Sequence, residues 1–221
     1  MFVSFIRLGL GVIRMEKPIE RPSLRARVWR FMWEEDSVAS WVVNVILAFV
    51  LIKFVVYPGL GFLLGTTHPI VAVVSGSMEH DGRFDEWWKS ACSSQNQGDL
   101  YAEEGISKEQ FRGFAMSDGF NKGDIIILKG DGDPSIGDII VYGIPDQPDP
   151  IIHRIVGKQN QAGHNVYKTK GDHNCGANPF EARIEQGQII GKSLLRVPWL
   201  GWVKLLFMKM VSFTLGIITG R

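Results

Sequence analysis

Apolar runs of two different lengths divide the chain. From Ser37 to Tyr57, SVASWVVNVILAFVLIKFVVY, Lys53 is the only charged residue, and a helix of about 20 residues rising ~1.5 Å each crosses the ~30 Å hydrocarbon core of a bilayer. The pattern predicts a transmembrane helix over 37–58. Pro58 and Gly59 stop it, Trp41 and Tyr57 sit near its two ends, and Lys53, a turn from the end, snorkels to the headgroups. Beyond it the runs shorten. PIVAVV (69–74), DIIILKG (124–130), DIIVYGI (138–144), PIIHRIVGK (150–158), NVYKTKG (165–171) and QIIGKSLLRV (188–197) are rich in Ile and Val and bounded by Gly, Asp and Pro, which reads as strands. The fold class expected is mainly β: a sheet or partly closed barrel, anchored by one or two transmembrane helices.

Three stretches break that rhythm. Residues 79–121 are polar, with Trp87, Trp88 and a short helical pattern in SKEQFRGF; they read as an inserted loop or subdomain that either covers the active face or decorates it. From Pro198 the sequence PWLGWVKLLFMKMVSFTLGIITGR is apolar but carries Lys204 and Lys209, so 198–221 is membrane-associated, as a second span or an interfacial helix. At the other end, Arg7 interrupts the apolar MFVSFIRLGLGVIRM, and no small-residue cleavage site follows, which argues against a cleavable leader. RPSLRARVWRFMWEE interleaves Arg25, Arg27 and Arg30 with Trp29, Phe31 and Trp33, the mixture of an interfacial helix. The organisation expected is therefore 1–36 cytoplasmic, 37–58 spanning, 59–197 a β-rich domain with its insertion, and 198–221 at the membrane.

Charge and cysteine content narrow the partners. With 24 basic against 23 acidic residues in 221, the net charge is +1, not the basic excess of a nucleic-acid surface. Seven basic residues precede the long apolar run, so the positive-inside rule puts the N terminus in the cytoplasm and the β-rich domain outside. Cys92 and Cys175 have neither zinc-site nor redox-motif spacing; they are free thiols or one bridge, which an extracytoplasmic domain permits. There is no P-loop, no G-x-G-x-x-G and no H-E-x-x-H among the five histidines, so no metal or organic cofactor is implied.

Acyl transfer by serine needs a nucleophile, a base, a group to orient the base and oxyanion donors. Ser77 follows a strand on the Gly-containing turn SGSM, and His153 lies inside IIHRIV, on the face of Ile151 and Ile155 with Arg154 opposite. Singly, these residues suit an ordinary turn and a satisfied strand histidine. Together, SGSM, a Gly-Asp followed by an apolar strand, HRIV and TKGD resemble the type I signal peptidases, in particular the archaeal and endoplasmic-reticulum branch that uses histidine as base. The likeness runs from about Val71 to Val197, around the insertion, and on into PWLGWVK.

By position, that resemblance implies that Ser77 is the nucleophile, His153 the general base, Asp172 the first acidic position, and Ser75 an oxyanion-hole residue. Two departures stand out. His80 replaces the usual Pro after SGSME, a change of loop shape. Asn178 stands where the branch carries the aspartate that orients the base. An asparagine can orient a histidine through its carbonyl oxygen, yet cannot stabilise an imidazolium as a carboxylate does. Asp172 is then the first candidate for the missing acid, and Glu181 the second.

The resemblance implies a serine endopeptidase at the cell membrane that removes signal peptides from exported preproteins after small residues, with the bilayer and the secretion machinery as further partners. Two alternatives remain at this point: an impaired, membrane-anchored homologue that binds exported chains, and a specialised maturation peptidase for one secreted substrate.

Overall fold

The computed structural model describes residues 23–130, 132–145, 147–161, 163–203, 205, 206 and 209. The chain divides into two units, Met1–Ile52 and Lys53–Arg221. In the first, α1 (Leu24–Trp33) starts at Ser23, whose Oγ accepts from the Ala26 N–H at 3.3 Å. Its Trp29 and Trp33 are exposed. Ser37 caps α2 (Val38–Leu51) in the same way, at 3.1 Å from the Ser40 N–H. The corner between the helices is fixed because Ser40 Oγ donates to the Phe31 carbonyl at 2.5 Å and Asn44 Nδ2 to that of Met32 at 2.8 Å, satisfying acceptors that the end of α1 leaves open.

Helical structure continues through a π-turn, Ile52–Val56, into α3 (Tyr57–Leu64). Val38–Leu64, 27 residues, is the one helical stretch among the described residues long and apolar enough to cross a membrane. The predicted stop at Pro58 is corrected: Pro58 follows the π-turn inside the helical stretch, where the altered hydrogen-bond ladder accommodates a residue without an N–H. The stretch ends instead at Gly65, whose φ of 66° makes a left-handed cap. Lys53 therefore lies inside the stretch, not one turn from its end. The expected C-terminal membrane segment falls mostly outside the described residues, as does the sequence before Ser23.

In the second unit the strands are β1 (Ile70–Ala72), β2 (Ala91–Cys92), β3 (Gln95–Asn96), β4 (Ile125–Lys129), β5 (Ile139–Tyr142), β6 (Ile151–Gln161), β7 (His164–Lys170), β8 (Ile184–Glu185) and β9 (Ile189–Val197). Seven form one antiparallel sheet in the order β1-β4-β9-β5-β6-β7-β8. All six segments predicted as strands are in it. Its two ends do not pair with each other, and register shifts at Ile127/Leu128, Val141/Tyr142 and Ile155/Gly157 mark bulges, which increase local twist and curl.

The sheet is covered on both faces near its middle. Ile139 and Val141 join Val73, Met78, Phe120, Ile126 and Leu128, while Ile140 and Tyr142 pack with Ile155, Tyr167 and Ile184. Burial on both faces explains why IIVY is an unbroken apolar run instead of an alternation. The insertion holds α4 (Phe84–Trp88), the β2–β3 pair, α5 (Gln97–Glu103) and α6 (Lys108–Arg112). Its aromatic core, Trp87, Trp88, Tyr101 and Phe111, closes over Val156 of β6. Cys92 and Cys175 form a disulfide with Cα atoms 5.0 Å apart, which resolves the alternative that sequence left open.

Candidate active site

Ser77 sits in a turn directly after β1, closed by the Glu79 N–H donating to the Gly76 carbonyl at 3.0 Å. Met78 anchors the turn: its side chain is buried in the core under the sheet, and its carbonyl accepts from the Phe120 N–H at 3.0 Å. A buried Met next to a half-exposed Ser holds the hydroxyl outward. Ser77 Oγ and Ser75 Oγ are 3.3 Å apart, with either able to donate. Among the described residues no acceptor takes the Ser77 N–H, which leaves it free to meet an oxyanion.

His153 comes from β6, paired across to Ile140 of β5, and is 4 % exposed. Its Nδ1 is in contact with Oε1 of Glu181. Glu181 rides on a single 3₁₀ turn, Pro179–Ala182, for which Asn178 is the cap. The other carboxylate oxygen, Oε2, accepts from the Asn178 backbone N–H at 2.6 Å and from its side-chain Nδ2 at 3.1 Å. Burial alone would raise the Glu181 carboxyl, but the bonds from His153 and Asn178 override it and hold the pKa below the ordinary glutamate value. A buried carboxylate on Nδ1 leaves Nε2 as the acceptor nitrogen, the tautomer a general base needs.

Ser75, Ser77, His153 and Asn174 line one cavity of about 520 Å³. Its apolar walls are the β1 run from Ile70 to Val74 with Val141, Ile151 and Ile152. Gly171 lies at the junction of nucleophile and base. A Cβ on it would stand 2.8 Å from His153 Nε2 and 2.8 Å from the Ser77 carbonyl oxygen, closer than real side chains come. A hydroxyl and an imidazole on a common apolar cleft, with a buried acid on the imidazole's Nδ1, are equipped to activate a serine against a carbonyl.

No family model matches the chain. Among curated proteins, the signal peptidase complex catalytic subunit SEC11 of Scheffersomyces stipitis is 26 % identical over 172 residues, 75 % of this chain and 81 % of the relative. The SEC11 of Verticillium alfalfae is 26 % identical over 161 residues, covering 69 % and 72 %. The chain is thus similar, over most of its length, to catalytic subunits of the signal peptidase complex. The SEC11 of Zygosaccharomyces rouxii reaches 31 % identity over a shorter 97 residues, 40 % of this chain and 58 % of the relative. These relatives are eukaryotic, so they support the endoplasmic-reticulum half of the branch resemblance and give none to the archaeal half.

Against the signal peptidase pattern, neither of the two predicted acid-position residues is hydrogen-bonded to the base, whose Nδ1 is taken by Glu181. Asp172 is fully buried and saturated by other donors: Arg154 Nε at 3.0 Å and Nη2 at 2.8 Å, the Tyr101 hydroxyl at 2.7 Å and His80 Nε2 at 3.0 Å. Burial would raise its pKa, yet the Arg154 guanidinium and the His80 and Arg154 hydrogen bonds hold the carboxyl well below the usual range. Asn178 reaches the base only through Glu181. His80, where the family has Pro, is more than loop shape: its ring stacks on Trp87 with centroids 3.6 Å apart. Arg154 Nη1 donates to the Ala115 and Gly137 carbonyls and Nη2 to that of Met116, so the strand face opposite His153 is a structural hub.

The acid on His153 is the second of the two candidates the sequence offers; Gly171 enters only as the glycine of TKGD, and Asn174 carries no signal there. Asn178-Pro-Phe-Glu181 does carry one: a capping residue, a proline and an acid at the third helical position, the pattern of a short turn whose acid folds back on its cap.

Proposed function

We propose that this chain is a membrane-anchored serine endopeptidase that removes signal peptides from exported preproteins, with Ser77 as nucleophile, His153 as general base and Glu181 as the residue that orients the base. The observation that carries the assignment is the buried Glu181 carboxylate on Nδ1 of a histidine that shares its cavity with Ser77. Ser77 Oγ attacks the scissile carbonyl as His153 Nε2 takes its proton. The Ser77 N–H and the Ser75 hydroxyl stabilise the oxyanion. His153 then protonates the leaving amine, and water, activated by the same nitrogen, releases the acyl group. Asp172 holds the frame behind the base instead of orienting it.

The substrate lies extended beside β1, which pairs only with β4 on its other side. Small residues before the cut suit a cleft walled by Ala72, Val73 and Val74. The long apolar helix anchors the chain in the cell membrane, with the N-terminal segment, including the Trp- and Arg-bearing α1, on the cytoplasmic side and the peptidase unit on the other. The Cys92–Cys175 bridge supports that placement, since disulfides persist in oxidising compartments. SEC11 relatives are described as subunits of a complex, and secretion machinery is the partner class we assign here. The argument for an impaired homologue was the missing aspartate; Glu181 supplies a carboxylate in its place.

The test is cleavage of a model preprotein by the purified, detergent-solubilised chain. Loss of cleavage in Ser77→Ala and His153→Ala is expected. Undiminished cleavage in Ser77→Ala overturns the reading.

A further inference from the structure

The segment Gly171–Asn174 touches both halves of the site. The His173 N–H donates to the Ser77 carbonyl at 2.9 Å, Gly171 lies against His153 Nε2, and Asn174 lines the cavity. A shift of this turn therefore moves nucleophile and base relative to each other. Arg154 of β6 holds Asp172 in this turn, and the carbonyls on either side of it are held from the insertion. Gln97, the first residue of α5, is 2 % exposed; its Nε2 donates to the His173 carbonyl at 3.1 Å and lies 3.5 Å from that of Asn174. Its Oε1 accepts from Lys170 Nζ at 2.8 Å, and the same ammonium donates to the Gly171 carbonyl at 3.1 Å.

One buried amide thus binds the turn from both sides. The Cys92–Cys175 bridge ties the next residue of the same loop to the same insertion.

Resting on the peptidase reading above, we propose that Gln97 is a positioning residue: through its bonds to Lys170, His173 and Asn174, the insertion sets the distance between Ser77 and His153. Gln97 touches neither reacting atom. Its effect belongs in kcat, since substrate binding along β1 does not involve it, and a displacement near ~1 Å in such geometry costs on the order of 100-fold.

Gln97→Glu separates positioning from folding. The carboxylate keeps the side-chain length and pairs with the Lys170 ammonium, so the fold is retained. It has no N–H for the His173 carbonyl and places negative charge against it. Cleavage of a model preprotein by the full chain in detergent is measured beside the thermal midpoint, with Ser77→Ala as the control. The expected result is a kcat lowered about 10- to 100-fold, a KM within about two-fold of wild type, and an unchanged midpoint. Gln97→Leu, which removes both halves of the clamp, lowers kcat at least as far per folded molecule.

A folded Gln97→Glu protein with wild-type kcat overturns the inference while the inactive Ser77→Ala control leaves the peptidase reading standing. Loss of activity strictly in proportion to loss of folded protein in both variants overturns it as well. Cleavage that persists in Ser77→Ala overturns the peptidase reading and this inference together.

Discussion

Replacing Glu181 with Gln changes one oxygen for one NH2 group, and the hydrogen bonds determine the outcome. Oε2 accepts from two Asn178 donors, and Oε1 faces His153 Nδ1. The amide introduced by Glu181→Gln has a single oxygen, so it satisfies one side only. Two donors on the Asn178 side outweigh one on the His153 side, which turns the oxygen to Asn178 and the NH2 to Nδ1. A donor at Nδ1 makes that nitrogen the acceptor and puts the imidazole proton on Nε2, where it cannot receive the Ser77 proton. Nothing else in the fold need move.

The corresponding acid-to-amide change in serine protease triads lowers kcat by about 10⁴ through the wrong tautomer, which corresponds to about 5 kcal/mol of transition-state stabilisation. We expect Glu181→Gln to fold, to keep KM within a few-fold and to lose about 10³- to 10⁴-fold in kcat. The assay is preprotein cleavage under saturating substrate, with a thermal melt of the same sample. A folded Glu181→Gln protein within about three-fold of wild-type kcat would refute the assignment. So would an Asp172→Asn protein that melts like wild type yet loses more kcat than Glu181→Gln.

Three further outcomes follow from the same contacts. Asn178→Asp, although it restores the family's usual acid, sets a second carboxylate beside Glu181 Oε2 in place of the Nδ2 donor, so cleavage rates should fall; a rate above wild type would mean that residue 178 orients the base itself. Asp172→Asn leaves the buried Arg154 without its counter-ion, a change of about 3–5 kcal/mol, read as a lowered midpoint with kcat per folded molecule largely retained. Because the Asp172 pKa is depressed when folded, its stabilisation is present above the unfolded value near 3.8 and is lost as pH falls toward the folded one. The wild-type midpoint should therefore drop below about pH 4, and less steeply in Asp172→Asn. Gly171→Ala forces a Cβ to 2.8 Å from both His153 Nε2 and the Ser77 carbonyl oxygen, and should abolish cleavage at a near-normal midpoint; activity within about two-fold of wild type would show that the turn yields.

What the sequence determined by itself was everything carried by period and run length. The six Ile/Val segments form the sheet because strand formation follows local alternation and β-branched content, and the long apolar run became a helix because no charge before Lys53 interrupts it. SGSM pointed to the candidate nucleophile because a Gly-containing turn after an apolar strand exposes its serine. Tertiary structure decided the rest. Pro58 reads as a stop, but the π-turn before it lets the helix continue. His153 and Arg154 alternate as a strand requires, yet both are buried, because the insertion's aromatic core covers the face that alternation would leave to water. The choice between the two candidate acids was likewise decided by contacts distant in sequence. Asp172 falls on the first acidic position of the motif, but Arg154, Tyr101 and His80, distant from it in sequence, occupy its oxygens. Glu181 reaches Nδ1 because a one-turn helix after Asn178 turns back toward β6, a contact with no period in sequence to announce it.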